Sequence, residues 1–274
     1  MRGKPDIDVA VDYVRSHGDP IEQARLAAVL YGRSPEQKAL GELSGLQNAD
    51  GGFGYWLADR SVSTVCDTTY VLGWLDDLSI RGGPMVETAV RFLFRYQEAD
   101  GGWDEVPEIT RLDPPEFLTP GETKTRVWLT AYCAHRLMRF GYAESPLCRG
   151  CPITYLLAHR EEPGRLVGYQ RATWDALPLF ARFPLEGMKP FEQALRVTQA
   201  EFAPREWAGS YLAWLLRCLR DADLPGSHPL VREALDELVG RQGPDGSWDS
   251  EDGESYAASA TVEALRVLKD YGIV

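Results

Sequence analysis

The chain has 274 residues, 44% hydrophobic and 26% charged, with 29 basic against 41 acidic side chains and a net charge of −12. Such a composition is that of a soluble globular protein with a sizeable core, and an acidic balance without any Lys/Arg run excludes nucleic acid as an expected partner. The opening "MRGKPDIDVAVDYV" lacks the apolar core of a signal peptide, and no segment approaches about 20 uninterrupted apolar residues. The five cysteines are therefore expected as reduced thiols in the cytoplasm, with membrane contact at most peripheral.

Helical periodicity predicts twelve helices, at 5–17, 20–31, 34–47, 61–79, 84–97, 122–141, 147–160, 169–183, 187–200, 206–222, 227–242 and 254–272. Gly and Pro separate them at "RGGP" (81–84), "FPLEG" (183–187) and "LPGSHP" (224–229). No period-2 stretch suggests a strand.

Between helices one template returns. "QNADGGF" (47–53), "QEADGGW" (97–103) and "QGPDGSW" (242–248) share Gln, two variable residues, Asp-Gly, Gly or Ser, and a ring. Spacing near fifty residues marks an array of supersecondary units. Worn copies are expected at "HREEPGRLVGY" (159–169), with His in place of Gln, and at "QAEFAPREW" (199–207). The glycines allow a left-handed C-cap and a tight reversal. Gln can bond free backbone groups at helix ends, while the ring covers the junction with the next hairpin. These loops read as structural staples.

The repeated Q-x-x-D-G-(G/S)-ring motif resembles the QW motif of terpenoid (triterpene) cyclases, whose fold is similar to that of protein prenyltransferase β subunits. The resemblance covers most of the chain. It implies an all-α (α/α)6 toroid formed by residues 1–274 as one domain. Inner helices near 20–31, 61–79, 122–141, 169–183, 206–222 and 254–272 would line a central cavity. Class II members pair two helical domains, so a self-partner, a second protein or the Pro- and acid-rich insertion at 104–123 would close it. The insertion follows a motif ring and reads as an ordered flap or a plain loop.

The cyclases carry an acidic DxDDTA or VSDCTAE motif, and "VCDTT" (65–69) resembles the latter. On that match Asp67 is the proton donor, although one carboxylate remains, Tyr70 replaces Ala and no Glu follows. Internal alignment sets Thr68, Thr130 and Thr261 in one column, with Asp67 facing Leu129 and Ala260. The carboxylate is thus additional to the scaffold. Protonating an alkene needs a carboxyl that stays protonated, which burial favours. The alternative is that Asp67 only N-caps the helix beginning "TTYVLGW", in competition with Ser61 and Ser63.

Nine rings fall on the expected inner segments: Tyr70, Trp74, Trp128, Tyr132, Trp174, Trp207, Tyr211, Trp214 and Tyr256. Their faces could stabilise a carbocation, or they are core. Lys124, Arg126 and Arg171 start inner helices and could hold a diphosphate, with Mg2+ if the substrate is one, or be solvated rim charges. "WDSEDGES" (248–255) could attract Mg2+ or complement a helix dipole. Asp76-Asp77 lacks the further carboxylate of a DDxxD site, and "CRGC" (148–151) reads as structural. No resident metal is expected. The leading expectation is protonation-initiated cyclisation of an isoprenoid; a prenyl-diphosphate transferase and a non-catalytic isoprenoid-binding module are the alternatives.

Overall fold

Proline starts several helices, where its missing N–H is no loss and its fixed φ suits the first turn. It opens α2 (Pro20–Tyr31), α5 (Pro84–Arg95), α7 (Pro152–Ala158), α9 (Pro190–Ala200) and α11 (Pro229–Gly240). The others are α1 (Ile7–His17), α3 (Gln37–Leu46), α4 (Val65–Asp77), α6 (Thr123–Arg139), α8 (Gln170–Arg182), α10 (Gly209–Asp221) and α12 (Ala257–Asp270). The computed structural model describes residues 4–161, 164–184 and 189–274, and it is mostly helical, with twelve α-helices where twelve were expected. Parts of "HREEPGRLVGY", of "FPLEG" and of the helix expected from 187 lie outside the described residues.

Two helix starts differ from expectation by more than three residues. The helix placed at 61 begins at Val65, because Asp59–Thr64 is a strand, β2, antiparallel to β1 (Phe53–Tyr55) with a bulge at Gly54/Tyr55. The run "SVST" is rich in small polar and β-branched residues, which favour the extended chain next to a hairpin turn. The sequence expectation of no strands therefore fails at the first motif. The helix placed at 147 begins at Pro152, since 148–151 is occupied in docking: the Gly150 carbonyl accepts from Gln97 Nε2 at 3.2 Å.

Burial separates two kinds of helix. On α5 and α11 the buried residues fall on one side, Val86, Ala89, Val90, Phe92, Leu93 and Phe94 on the first and Leu230, Val231, Ala234, Leu235 and Leu238 on the second. On α6 every residue from Val127 to Leu137 is buried, and on α8 every residue from Ala172 to Phe180. Contacts gather the chain into two units. One holds α1, α2, α10, α11, α12 and Asp77–Ser79; α12 packs against α1, α2 and α10, and α10 against α11. The other holds β1, β2, most of α4 and α5 to α9; α6 packs against α7 and α8, and α8 against α9.

The repeated loops share one set of bonds. The Gln side chain donates to the carbonyl of its own glycine, Gly51, Gly101 or Gly246, at 2.9, 3.1 and 3.2 Å. The same amide reaches the start of another helix: Gln47 to the Met85 carbonyl, Gln97 to Gly150, Gln242 to Asp6, the N-cap of α1. Each ring residue donates its backbone N–H to a threonine hydroxyl, Phe53 to Thr68, Trp103 to Thr130 and Trp248 to Thr261, at 2.8–3.0 Å. Those threonines donate in turn to the carbonyl four residues back, a bond open to Thr within a helix. Gly101, at φ +93, cannot be replaced without conflict, because a Cβ there would lie 2.6 Å from the Cys151 backbone.

In the worn copy the register moves by one. Arg160 and Leu166 form the bridge that Gln97 and Trp103 form elsewhere, and Leu166 N–H donates to Thr173. Arg160, not His159, thus stands in the glutamine place, with its guanidinium on Gln193 Oε1 at 3.3 Å.

Candidate functional site

Asp67 lies in the first turn of α4 and is 7% exposed. The cap itself is Thr64: its hydroxyl accepts the Asp67 N–H at 3.0 Å and donates to Asp67 Oδ2 at 2.5 Å. The second bond to Oδ2 comes from the Trp56 backbone N–H at 3.2 Å. Among the described residues no hydrogen bond reaches Oδ1. One oxygen is thus held by donors and the other is left to carry a proton. Burial raises the Asp67 pKa to about 6 against the opposing pull of the Thr64 and Trp56 bonds. In the threonine column its counterparts are apolar and buried: Leu129, Ala172 and Ala260.

A second buried acid stands beside it. Glu105, 2% exposed, accepts from Val65 N–H at 2.6 Å, Cys66 N–H at 3.0 Å and Val106 N–H at 2.8 Å, closing the N-terminus of α4. Burial pushes its pKa to about 8 in spite of those bonds, and the charge of Asp67 adds to the rise. Sequence reasoning counted Glu105 only among the acids of the 104–123 insertion. Its place two residues after the motif ring was the available signal, since Asp249, one residue after Trp248, caps α10 through the Gly209 N–H at 2.8 Å. The insertion itself is packed, with two 3-10 turns at Pro107–Leu112 and Glu116–Leu118 and with Val106, Ile109 and Leu118 buried.

Rings lead away from the acid. Trp56 meets Phe117 at 6.4 Å, Phe117 meets Trp128 at 5.6 Å, and Trp128 stacks on Tyr132 at 5.9 Å and 10°. Tyr169 stands edge-on to Trp128, and Tyr70 edge-on to Trp74. Trp174 is buried on α8. Burial pushes the Tyr132 phenol well above its usual range, so it stays neutral. Tyr132 also lies under the Arg136 guanidinium at 5.4 Å. Phe117 and Tyr169 were not singled out by sequence; neither lies on an expected inner helix interior. Further along α6, His135 Nδ1 meets Asp175 Oδ1 of α8 at 2.9 Å, fully buried. In the other unit, Trp207 is edge-on to Phe202 and Tyr211, and Trp214 and Tyr256 are half-buried.

The basic candidates already face carboxylates. Lys124 pairs with Glu116, and Arg126 with Asp100 at 3.0 Å and Asp104 at 3.8 Å. Arg171 is half-buried and close enough to Cys66 to favour its thiolate, though burial still pushes that thiol well up. The adjacent carboxylates Asp76 and Asp77 are engaged as well. Asp76 pairs with Arg81 and Arg139, and Asp77 with Arg25, Arg217 and Arg266 at 2.9 Å. Asp249 of "WDSEDGES" is spent on a helix cap.

The fold is that of solved terpene cyclases. The chain resembles the type II terpene cyclase MstE from Scytonema in its apo form, with a TM-score of 0.65 and 16% identity over 98% of this chain and 97% of that one. A substituted MstE solved with geranylgeranyl dihydroxybenzoate as substrate matches at 0.65 and 15%, over the same shares of the two chains. A protein from Actinoplanes matches at 0.62 and 18%, over 97% and 98%. No family model and no curated protein matches the chain. Among the described residues no helix is long and apolar enough to cross a membrane.

Proposed function

We propose that residues 1–274 form one (α/α)6 toroid of the QW-motif superfamily, carrying the 104–123 insertion, and act as a type II terpene cyclase on an isoprenoid with Asp67 as general acid. The observation that carries this reading is the asymmetric Asp67 carboxyl: a buried acid at the position before the column threonine, where Leu129, Ala172 and Ala260 are apolar. The toroid is supported by the helix count and by the Gln242–Asp6 stitch between the last motif and the first helix. The resemblance to MstE, covering 97% of that chain, supports the cyclase reading.

The chemistry follows from the carboxyl. The proton on Oδ1 passes to the less substituted carbon of a terminal alkene; the π electrons form the new C–H bond and leave a tertiary cation. The carboxylate left behind is already held by the Thr64 hydroxyl and the Trp56 N–H, which stabilises the charge as it develops. Ring faces such as Trp128 and Tyr132 stabilise a cation without offering it a base. Loss of a proton from the cyclised cation ends the reaction and restores the balance.

The test is incubation with geranylgeranyl dihydroxybenzoate, squalene and prenyl diphosphates, with and without Mg2+. Cyclised product from the native chain and none from Asp67→Asn is the expected result. Diphosphate release that depends on Arg126 and Arg171 would make it a transferase, and lipid retained without turnover a binding module.

A further inference from the structure

The turn joining β1 to β2 is built against local preference. Trp56 and Leu57 both adopt left-handed φ, +51 and +57, although neither is glycine, and a bulge precedes them at Gly54/Tyr55. Such strain persists only where surrounding contacts hold it. Two such contacts are present. Inward, the Trp56 N–H donates to Asp67 Oδ2; outward, the Trp56 ring, 40% exposed, rests on Phe117 of the insertion. The base of the hairpin is fixed separately, by Asn48 and Asp50 on the Ser63 hydroxyl at 2.9 and 2.8 Å. The root therefore keeps bonds of its own that do not depend on the tip.

We propose that Trp56 is a positioning residue that couples the 104–123 insertion to the proton donor: when Phe117 seats the Trp56 ring, the strained turn delivers its N–H to Asp67 and makes it a stronger acid. With the tip lifted, Asp67 loses a donor to its charged form and holds its proton more firmly. With the tip seated over a bound chain, the same carboxyl gives the proton up more readily. The donor thus loads when open and discharges when closed. This rests on Asp67 being the acid of the proposed reaction.

Other charged groups near Asp67 do not imitate the effect. Glu105 of the insertion keeps its proton up to about pH 8. Cys66 beside it on α4, Cys133 on α6 and Tyr132 on α6 stay neutral, their burial raising all three. Between pH 5 and 7, Asp67 is the group of this set that titrates.

The experiment is a carbon-13 NMR titration of aspartate carboxyls in the full chain without substrate, Asp67 being identified by its loss in Asp67→Asn. Two variants free the tip by different routes: Trp56→Ala, which removes the ring and keeps a Cβ that disfavours the positive φ, and Phe117→Ala, which leaves the hairpin sequence intact. In either folded variant the Asp67 titration is expected to move upward by about one pH unit. Unmoved titrations in both overturn the coupling. Because no turnover is needed, this result stands apart from the identity of the substrate. In an active preparation the coupling also predicts a lower rate on the acid plateau together with activity persisting to higher pH. A ring that only contacts substrate would lower the rate without moving the profile.

Discussion

Asp67 Oδ2 and Thr64 Oγ1 stand 2.5 Å apart, and the same hydroxyl accepts the Asp67 N–H, so one threonine both caps α4 and fixes the carboxyl of its third residue. The helix start and the orientation of the acid are a single arrangement. Thr64→Val should cost cap and orientation together, lowering the unfolding midpoint and raising the Asp67 pKa. An unchanged titration would separate the two roles.

Asp67→Asn keeps the shape and removes the proton. Cyclisation should fall by about 10²–10⁴ or more, the usual contribution of a general acid, while circular dichroism stays native. In the parent, activity is expected to be nearly full at about pH 5, half-maximal near pH 6 and to drop towards tenfold per unit above it, because the protonated fraction falls with the raised pKa. A profile flat from pH 5 to 8 would remove Asp67 from the mechanism.

Glu105 makes stability depend on pH. Its pKa is raised from 4.5 to about 8 by folding, so the native state binds the proton more tightly. The stability it contributes is fully present below about pH 4.5 and is lost as pH rises through about 8. Melting temperatures measured from pH 5 to 9 should therefore decline. Glu105→Gln should flatten the decline above pH 6, leaving the smaller Asp67 contribution below it.

Asp77, 2% exposed, is the common partner of Arg25, Arg217 and Arg266, which hold its pKa far below the usual carboxylate range. Asp77→Asn should destabilise by about 3–5 kcal/mol, since buried guanidiniums are left without their charge partner. Denaturant unfolding measures this directly.

Gly101→Ala should destabilise strongly, by about 2 kcal/mol or more, from a forbidden φ and a Cβ 2.6 Å from the Cys151 backbone. Gly82→Ala, where a Cβ meets nothing within 4 Å, is the control and should be nearly neutral.

Most of the helical frame was legible because it is written in local terms: prolines at first turns, glycines at reversals and apolar residues at helical spacing. The threonine column was legible too, yet its meaning was not; only the structure shows Thr68, Thr130 and Thr261 answering the ring residues' N–H groups. Thr173 escaped because Leu166 replaces its ring and Arg160 its glutamine. The hairpin escaped because Trp56 and Leu57 take φ values their residue types disfavour, imposed by contacts from elsewhere in the chain. Glu105 escaped because it acts 40 residues from where it sits in sequence.

Gln242 and Asp6 exchange two bonds, at 2.7 and 2.8 Å, across 236 positions, and α1 packs on α12. A linear repeat array melts from its ends, where a terminal unit has one neighbour only. Here the beginning and the end of the chain are each other's neighbours. Removing Asp6 would therefore loosen the loop of the last motif as well as the first helix.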